Sequence, residues 1–383
     1  LMAYIHFDIV QSQISKYPGK PSGDVIYYQY NPTNIVLILA DGIGSGIKAN
    51  IAAQSCVSRI KTLLQSGFTL RESFARHVNT MEEAKAKDLP YTAFSLVRIL
   101  QDGIGTCLTY ESPTPIFVTK AYSTILKSRI YSINTAVVSE TIFELMKNEG
   151  IVIVTDGITQ AGLNQDYSNG LELKGLNQFI DEQIKSGLKL RYLPKEITDN
   201  AFLINNKKMY DDLSAVILFA RKGRVVNIFT GPPRNEEKDA EAVKKFLELD
   251  GLKIICGAST AKLVSRELSK NLVIDEKFAS SISPPNYKID GIDLVTEGIV
   301  TLNQLYNIWD EDESKLEKFN PVTDLYTLLK VADRINFIVG TADNPATEDI
   351  TYSQLGLLKR KKIIPLLLEK FNKEGKVVVV EEV

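Results

Sequence analysis

The first part of the chain changes from a strand-like to a helix-like pattern near residue 42. Residues 35–40 form an uninterrupted apolar run, as in a strand buried on both faces, and the run ends at Asp41 and Gly42. From Ile47 onward, apolar residues recur at steps of three and four, which predicts an amphipathic helix. Thr69 and Glu72 then have the spacing of a capping box, so a second helix is expected to begin there.

Further strands are predicted on both sides of this helix pair. They are 4–12 and 25–30 before the helices, and 91–100, 103–110, 116–119, 151–155 and 215–220 after them. Between 163 and 209 the pattern is mixed, and one helix is predicted at 175–185. Two groups of strands separated by a pair of helices predict a layered α+β sandwich.

A second domain is expected from about residue 222. Strands and helices alternate there, with strands at 225–230, 253–256, 335–340 and 377–381 and helices at 235–249 and 260–269. This alternation favours an α/β domain built from βαβ units. We therefore divide the chain into a first domain, 1–221, and a second domain, 222–383.

Composition excludes several classes of partner. The 383 residues carry 45 basic and 47 acidic side chains, so no strong attraction to nucleic acid or to an anionic membrane is expected. The sequence has no apolar stretch of about 18 residues and no secretory signal, so no membrane association is predicted. Cys56, Cys107 and Cys256 are far apart and lie in apolar surroundings, which indicates buried free thiols and a cytoplasmic location.

The aspartates carry the candidate chemistry. Asp24 begins a predicted strand, Asp41 and Asp156 each follow an apolar strand and precede a glycine, and Asp211 and Asp212 precede another strand. Each alone is also an ordinary turn signal. If the strand ends meet at one edge of the sandwich, the carboxylates repel each other unless cations neutralise them. Oxygen ligands without nearby histidine or cysteine select Mg²⁺ or Mn²⁺, and two such ions suit displacement at phosphorus.

Four segments resemble, in order, the motifs of the PP2C-like phosphatases, and the SpoIIE-type bacterial branch is the most similar. They are Ser22-Gly23-Asp24, Leu39-Ala40-Asp41-Gly42-Ile43-Gly44-Ser45-Gly46, Val154-Thr155-Asp156-Gly157-Ile158 and Asp211-Asp212-Leu213-Ser214-Ala215-Val216. The resemblance covers about residues 4–220. It implies an α-β-β-α sandwich that hydrolyses phosphoserine and phosphothreonine on proteins. Ser214 stands where threonine is commoner in the family.

The resemblance also implies the roles of individual residues. The implied metal site for two Mn²⁺ or Mg²⁺ ions consists of Asp24, Asp41, Gly42, Asp156, Asp211 and Asp212. Asp41 would bridge both ions and Asp156 would ligate one of them, and these two aspartates are the implied catalytic residues. A metal-bound water or hydroxide would attack the phosphate in line.

The expected partner is a phosphoprotein of a bacterial signalling circuit, such as an anti-sigma-factor-antagonist-like protein, and the second domain is expected to be regulatory. The oligomeric state is left open, with a dimer among the options. Three alternatives also stay open: a catalytically weak regulatory scaffold, a ligand-gated sensor, and a phosphatase of small molecules. The sequence has two histidines, and His77, within a helical pattern, is expected to be a packing or surface residue.

One motif in the second domain suggests an anion site. Ser259 and Thr260 lie where a predicted strand passes into a helix, and helix N-termini bind anions. A plain helix cap explains the same residues.

Overall fold

The computed structural model describes residues 4–44, 46–163, 168–275, 286–317, 320–342 and 356–383. Ser45 of the glycine-rich motif lies outside these residues. The chain divides into two compact units, Ile5–Lys222 and Gly223–Val383, the second of which also includes Tyr4. The two units are described separately below.

The first unit consists of two antiparallel sheets and two pairs of long helices. Its strands are β1 (Ile5–Ile14), β2 (Asp24–Tyr30), β3 (Asn34–Gly42), β4 (Thr92–Leu100), β5 (Ile104–Tyr110), β6 (Ile116–Val118), β7 (Ser123–Ile125), β8 (Arg129–Ile133), β9 (Ala136–Glu144), β10 (Gly150–Val154) and β11 (Leu213–Lys222). Its helices are α1 (Ile47–Gln65), α2 (Leu70–Ala86), the short α3 (Asp156–Thr159), α4 (Glu172–Lys185) and α5 (Leu193–Ile204). One sheet has the order β2-β3-β4-β5-β9-β8 and the other the order β1-β11-β10-β6-β7.

Three apolar cores show how these elements are layered. Ile38 of β3 packs with residues of α1 and α2, whereas its neighbour Leu37 packs with Val216 and Leu218 of β11 in the other sheet. The outer face of the second sheet packs with α4 and α5. Adjacent residues of a strand point to opposite faces, so one strand contributes to two cores. The unit is therefore an α-β-β-α sandwich, which confirms the predicted fold class.

The second unit is a sheet with helices on both faces. Its strands are β12 (Val225–Thr230), β13 (Leu252–Cys256), β14 (Val273–Asp275), β15 (Asn286–Lys288), β16 (Leu294–Thr296), β17 (Arg334–Val339) and β18 (Val377–Glu382). Its helices are α6 (Asp239–Glu248), α7 (Ala258–Leu268), α8 (Ile299–Ile308), α9 (Pro321–Val331) and α10 (Arg360–Lys373). Helices α6 and α7 pack in one core, and α8, α9 and α10 pack in another.

The order of the strands defines the architecture of this unit. The order is β14-β15-β16-β13-β12-β17-β18, and the strands from β16 to β18 in this order pair in parallel. Counted along the chain, the parallel strands have the doubly wound arrangement 3-2-1-4-5. This confirms an α/β fold for the second unit.

Two expectations from composition can be compared with the structure. None of the described helices is both long enough and apolar enough to span a bilayer. Cys56, Cys107 and Cys256 are free and buried.

Candidate active site

Two of the predicted aspartates face each other on neighbouring strands. Asp24 is the first residue of β2, and Asp41 is the last residue but one of β3. Their Cα atoms are direct partners in the antiparallel ladder. Because directly opposite residues project from the same face of a sheet, both carboxyl groups lie at one edge of the sandwich.

The other sheet supplies two more aspartates at the same edge. Asp156 is the second residue after β10, and Asp211 lies two residues before β11. Strands β10 and β11 are antiparallel neighbours, and the end of their ladder is closed by the Thr155 amide, which donates to the Ser214 carbonyl at 3.1 Å. Asp156 and Asp211 are thereby brought together.

Hydroxyl groups from this second sheet hold Asp24. Thr155 Oγ1 donates to Asp24 Oδ2 at 3.0 Å, and Ser214 Oγ donates to the same oxygen at 2.5 Å. Asp24 is 4% exposed. The Asp24 carboxyl group therefore links the facing edges of the two sheets.

The pKa values of Asp24, Asp41 and Asp211 are raised, most of all by burial and also by the charges of neighbouring aspartates. Burial is the largest cause at Asp41, followed by the charges of Asp24 and Asp156 and by a hydrogen bond with Asp156. Burial also raises the pKa of Asp24, against the lowering effect of the Ser214 hydroxyl, and it raises that of Asp211. These carboxyl groups resist simultaneous ionisation, as the sequence led us to expect, and positive charge would relieve that resistance.

The four aspartates of the cluster have the right chemistry for a hard divalent cation, because each carboxylate offers oxygen ligands. Among the described residues, however, no three histidine, cysteine or acidic side chains are already arranged to hold a metal ion. Asp41 instead shares a hydrogen bond with Asp156. Binding of a cation would therefore require loss of the shared proton and reorientation of these side chains.

Asp212 has a different environment from the other aspartates. Its Oδ1 accepts the Lys16 amide at 2.8 Å, and its Oδ2 accepts the Gly23 amide at 2.9 Å. The side chain is 4% exposed. We expected Asp212 to belong to the metal site, but the structure shows both of its oxygens holding the segment that leads into Asp24.

Gly42 is required because of a close approach between backbones. A Cβ atom at this position would lie 2.0 Å from the carbonyl oxygen of Ala49 in α1. The close approach is to the first turn of α1. Gly44 and Gly46 have φ of 113° and 71°, values that favour glycine.

A cavity of about 220 Å³ lies next to Asp211. It is lined by Gly157, Gln160, Leu163, Asn205, Tyr210 and Asp211. Gln160 Nε2 donates to Asp156 Oδ2 at 2.8 Å, and so orients that carboxylate. The sequence analysis missed Gln160, although its position one helical turn after Asp156 is the signal that could have identified it.

The suggested anion site of the second unit has a different arrangement. Thr260 is fully buried, and its Oγ1 accepts the Gly231 amide at 2.7 Å. Ser259 is exposed in the first turn of α7, whose N-cap residue is Gly257. Thr260 thus stabilises the turn after β12, as a plain cap would, and the anion site stays a prediction.

Comparison with known proteins is informative for the first unit. Residues 31–221 match the family model described as stage II sporulation protein E, SpoIIE. No curated protein matches the chain. The solved structures that are similar include the phosphatase domain of SpoIIE from Bacillus subtilis, at 16% identity, with 58% of this chain and 95% of that chain covered and a TM-score of 0.44.

Two further structures are similar over a comparable share of the chain. The RsbU and RsbW domains of Rv1364c from Mycobacterium tuberculosis are 14% identical, with 57% of this chain and 62% of that chain covered and a TM-score of 0.47. RsbX in complex with magnesium is 15% identical, with 57% of this chain and 100% of that chain covered and a TM-score of 0.40. The match to the family model carries the assignment: the first unit of this chain belongs to the SpoIIE family of PP2C-like phosphatase domains.

Proposed function

We propose that the first unit is a metal-dependent protein serine/threonine phosphatase. The observation that supports this most directly is the convergence of Asp24, Asp41, Asp156 and Asp211 at one edge of the sandwich, where each charge raises the pKa of a neighbour. A cluster of this kind is costly to stability, so its presence is better explained by chemistry than by folding. Membership of the SpoIIE family supports the same reaction class.

Asp41, Asp156 and Asp211 are the side chains that we propose as ligands of two Mg²⁺ or Mn²⁺ ions, together with the Gly42 carbonyl. Ions at this edge would supply charge neutralisation of the phosphate oxygens and activation of water for attack on phosphorus. Asp24 is held by hydrogen bonds from Thr155 and Ser214, and it would keep the three ligand aspartates in place. Gln160 would keep the Asp156 carboxylate oriented.

For the substrate, we propose a phosphoserine or phosphothreonine side chain of a protein. The adjacent cavity of about 220 Å³ is below the usual size of a pocket for a whole metabolite, and it suits a single phosphorylated side chain. The proposed partner is a small anti-sigma-factor-antagonist-like phosphoprotein in the cytoplasm, and the second unit would regulate the reaction.

A second candidate function is a catalytically weak regulatory scaffold. The observation that favours it is the state of the acidic cluster, whose carboxyl groups are bonded to each other and are not preassembled around an ion position. The two candidates differ in whether the cluster supports turnover.

Hydrolysis of p-nitrophenyl phosphate with Mn²⁺ or Mg²⁺ titrated from zero separates the candidates. We expect activity that depends on the ion and that falls by about 10³-fold or more in Asp41→Asn and in Asp211→Asn. Asp88→Asn is a matched control, because Asp88 is exposed and its φ of 52° suits asparagine. A folded wild type that stays inactive at every ion concentration would favour the scaffold.

A further inference from the structure

A second cavity in the first unit lies between α1 and α2 and reaches Thr92 of β4, the ladder partner of Gly42. Its volume is about 380 Å³, which is within the range of pockets that enclose small organic ligands. The six lining residues that carry the following argument are Lys48, Cys56, Arg59, His77, Met81 and Thr92.

The cavity contains buried polar atoms that lack partners. His77 is 1% exposed, and neither Nδ1 nor Nε2 has a hydrogen-bond partner among the described residues. Thr92 is also 1% exposed, and its Oγ1 likewise has no partner there. Buried polar groups are nearly always paired, and an unpaired one costs free energy, so these atoms indicate a bonding partner that enters the cavity.

The charges of the lining are of one sign. Lys48 and Arg59 of α1 both line the cavity and are exposed, and no ion pair or hydrogen bond involves either side chain within the described ranges. No aspartate or glutamate is among the lining residues. The positive charge of Arg59 also contributes to the lowered pKa of His77. An entering group with negative charge would therefore meet the Arg59 cation beside a neutral imidazole N–H.

The rest of the wall is apolar apart from Ser55 and Thr80. Cys56 and Met81 are 1% and 9% exposed, and Cys56 has a raised thiol pKa because it is buried. The imidazole of His77 packs against Phe94, with ring centroids 5.1 Å apart. A ligand that fills this space needs an apolar body as well as an anionic end.

We propose that this cavity binds a small organic acid, in which a carboxylate contacts Arg59 and the His77 imidazole while a branched aliphatic or aromatic body packs on Cys56 and Met81. A carboxylate joined to such a body would use both the Arg59 and His77 side of the cavity and its apolar residues, whereas inorganic phosphate has no apolar body to pack on Cys56 and Met81.

The test uses the full chain with benzoate, phenylacetate and 4-methylpentanoate as probes. Benzamide is the matched neutral probe, and inorganic phosphate is the matched inorganic anion. Because the sequence has two histidines, the imidazole NMR signals that disappear in His77→Gln belong to His77, and those that disappear in His6→Gln identify the other set. We expect at least one carboxylate to shift the His77 signals saturably, whereas benzamide and phosphate leave them unchanged.

Affinity measured by calorimetry then locates the carboxylate. Arg59→Gln is expected to weaken binding about ten-fold, as for the loss of one charge-assisted hydrogen bond. Arg76→Gln is the control, since Arg76 is an exposed residue of α2 that packs on Phe68 and does not line the cavity. The proposal is overturned if no carboxylate moves the His77 signals up to its solubility limit, if phosphate alone moves them, or if Arg59→Gln and Arg76→Gln bind equally well.

Discussion

Asp24 of β2 lies directly opposite Asp41 of β3, and the same Asp24 carboxylate accepts hydrogen bonds from Thr155 and Ser214 of the other sheet. One side chain therefore belongs both to the acidic cluster and to the joint between the sheets. Changes in the charge of the cluster should consequently affect the stability of the sandwich as well as its chemistry.

The hydroxyl group of Ser214 is expected to stabilise the folded unit through Asp24. Ser214→Ala removes the 2.5 Å hydrogen bond from Ser214 to the buried Asp24 carboxylate. We therefore expect the free energy of unfolding to decrease by about 1.5–3 kcal/mol. Urea unfolding at neutral pH measures this loss. Ser132→Ala, at an exposed serine of β8, should change stability by less than about 0.5 kcal/mol. Equal effects of the two substitutions would show that the hydrogen bond contributes nothing.

The metal-free protein should become less stable as the pH rises. The pKa of Asp41 is raised in the folded state by burial and by its acidic neighbours. Above the ordinary carboxyl pKa of about 4, the unfolded state therefore binds fewer protons than the folded state, and the free energy of unfolding falls with increasing pH. Asp41→Asn removes this titration. The decrease in the free energy of unfolding between pH 5 and pH 8 should therefore be smaller in Asp41→Asn than in the wild type, by about 1 kcal/mol or more.

Chemical denaturation in a chelator at both pH values gives the comparison. Added Mg²⁺ or Mn²⁺ should stabilise the wild type at pH 8 and should have little effect on Asp41→Asn. A wild type whose stability in chelator is the same at pH 5 and pH 8 would contradict the prediction.

Gly42→Ala should disrupt both the fold near α1 and the activity. The added Cβ atom would lie 2.0 Å from the Ala49 carbonyl oxygen, so the backbone must shift. We expect the free energy of unfolding to decrease by about 3 kcal/mol. We also expect activity to fall about 10²-fold, because the shift displaces the neighbouring Asp41. Gly175→Ala is the control, because its Cβ would meet only the flexible end of Leu171, and alanine favours a helix. Thermal unfolding and p-nitrophenyl phosphate hydrolysis measure both effects.

His77 should make the protein sensitive to acid. Burial, and then the charge of Arg59, lowers the pKa of His77 from 6.5 to about 4. The unfolded state therefore binds more protons than the folded state between these values, and stability is lost as the pH falls from 6.5 towards 4. Over this pH interval, the free energy of unfolding should decrease by at most about 3 kcal/mol. His77→Leu should lack this part of the pH dependence, which unfolding curves at pH 7 and pH 4.5 would reveal.

The sequence predicted the aspartates of the site because strand ends and turn residues are local signals. Asp41 and Asp156 each follow an apolar run, and that pattern was sufficient to place them at strand ends. Thr155 and Ser214 contact Asp24 across separations of 131 and 190 residues, and no local pattern encodes such contacts. For the same reason the anchoring role of Asp212, whose partners are Lys16 and Gly23, was not foreseen.

The elements missed by the sequence analysis have weak patterns of their own. Strand β8 is mostly exposed, and β7 is only three residues long, so neither shows a clear apolar period. Strand β9 alternates between buried and exposed residues over nine positions, yet it follows a turn that we did not recognise. Helix α5 includes Pro194 in its first turn and buries Thr198, residues that favour other structures when read alone.

The pairing of β1 with β11 has a consequence for synthesis on the ribosome. The two strands pair along their whole length, from Ile5 with Lys222 to Ile14 with Leu213, and β11 is the neighbour of β1 in the sheet. About 200 residues separate them, so at about 5–20 residues per second the first strand waits roughly 10–40 s for its partner. Because β11 follows Asp211, the acidic cluster is assembled only when this sheet closes, and the proposed ion site is incomplete on the nascent chain before then.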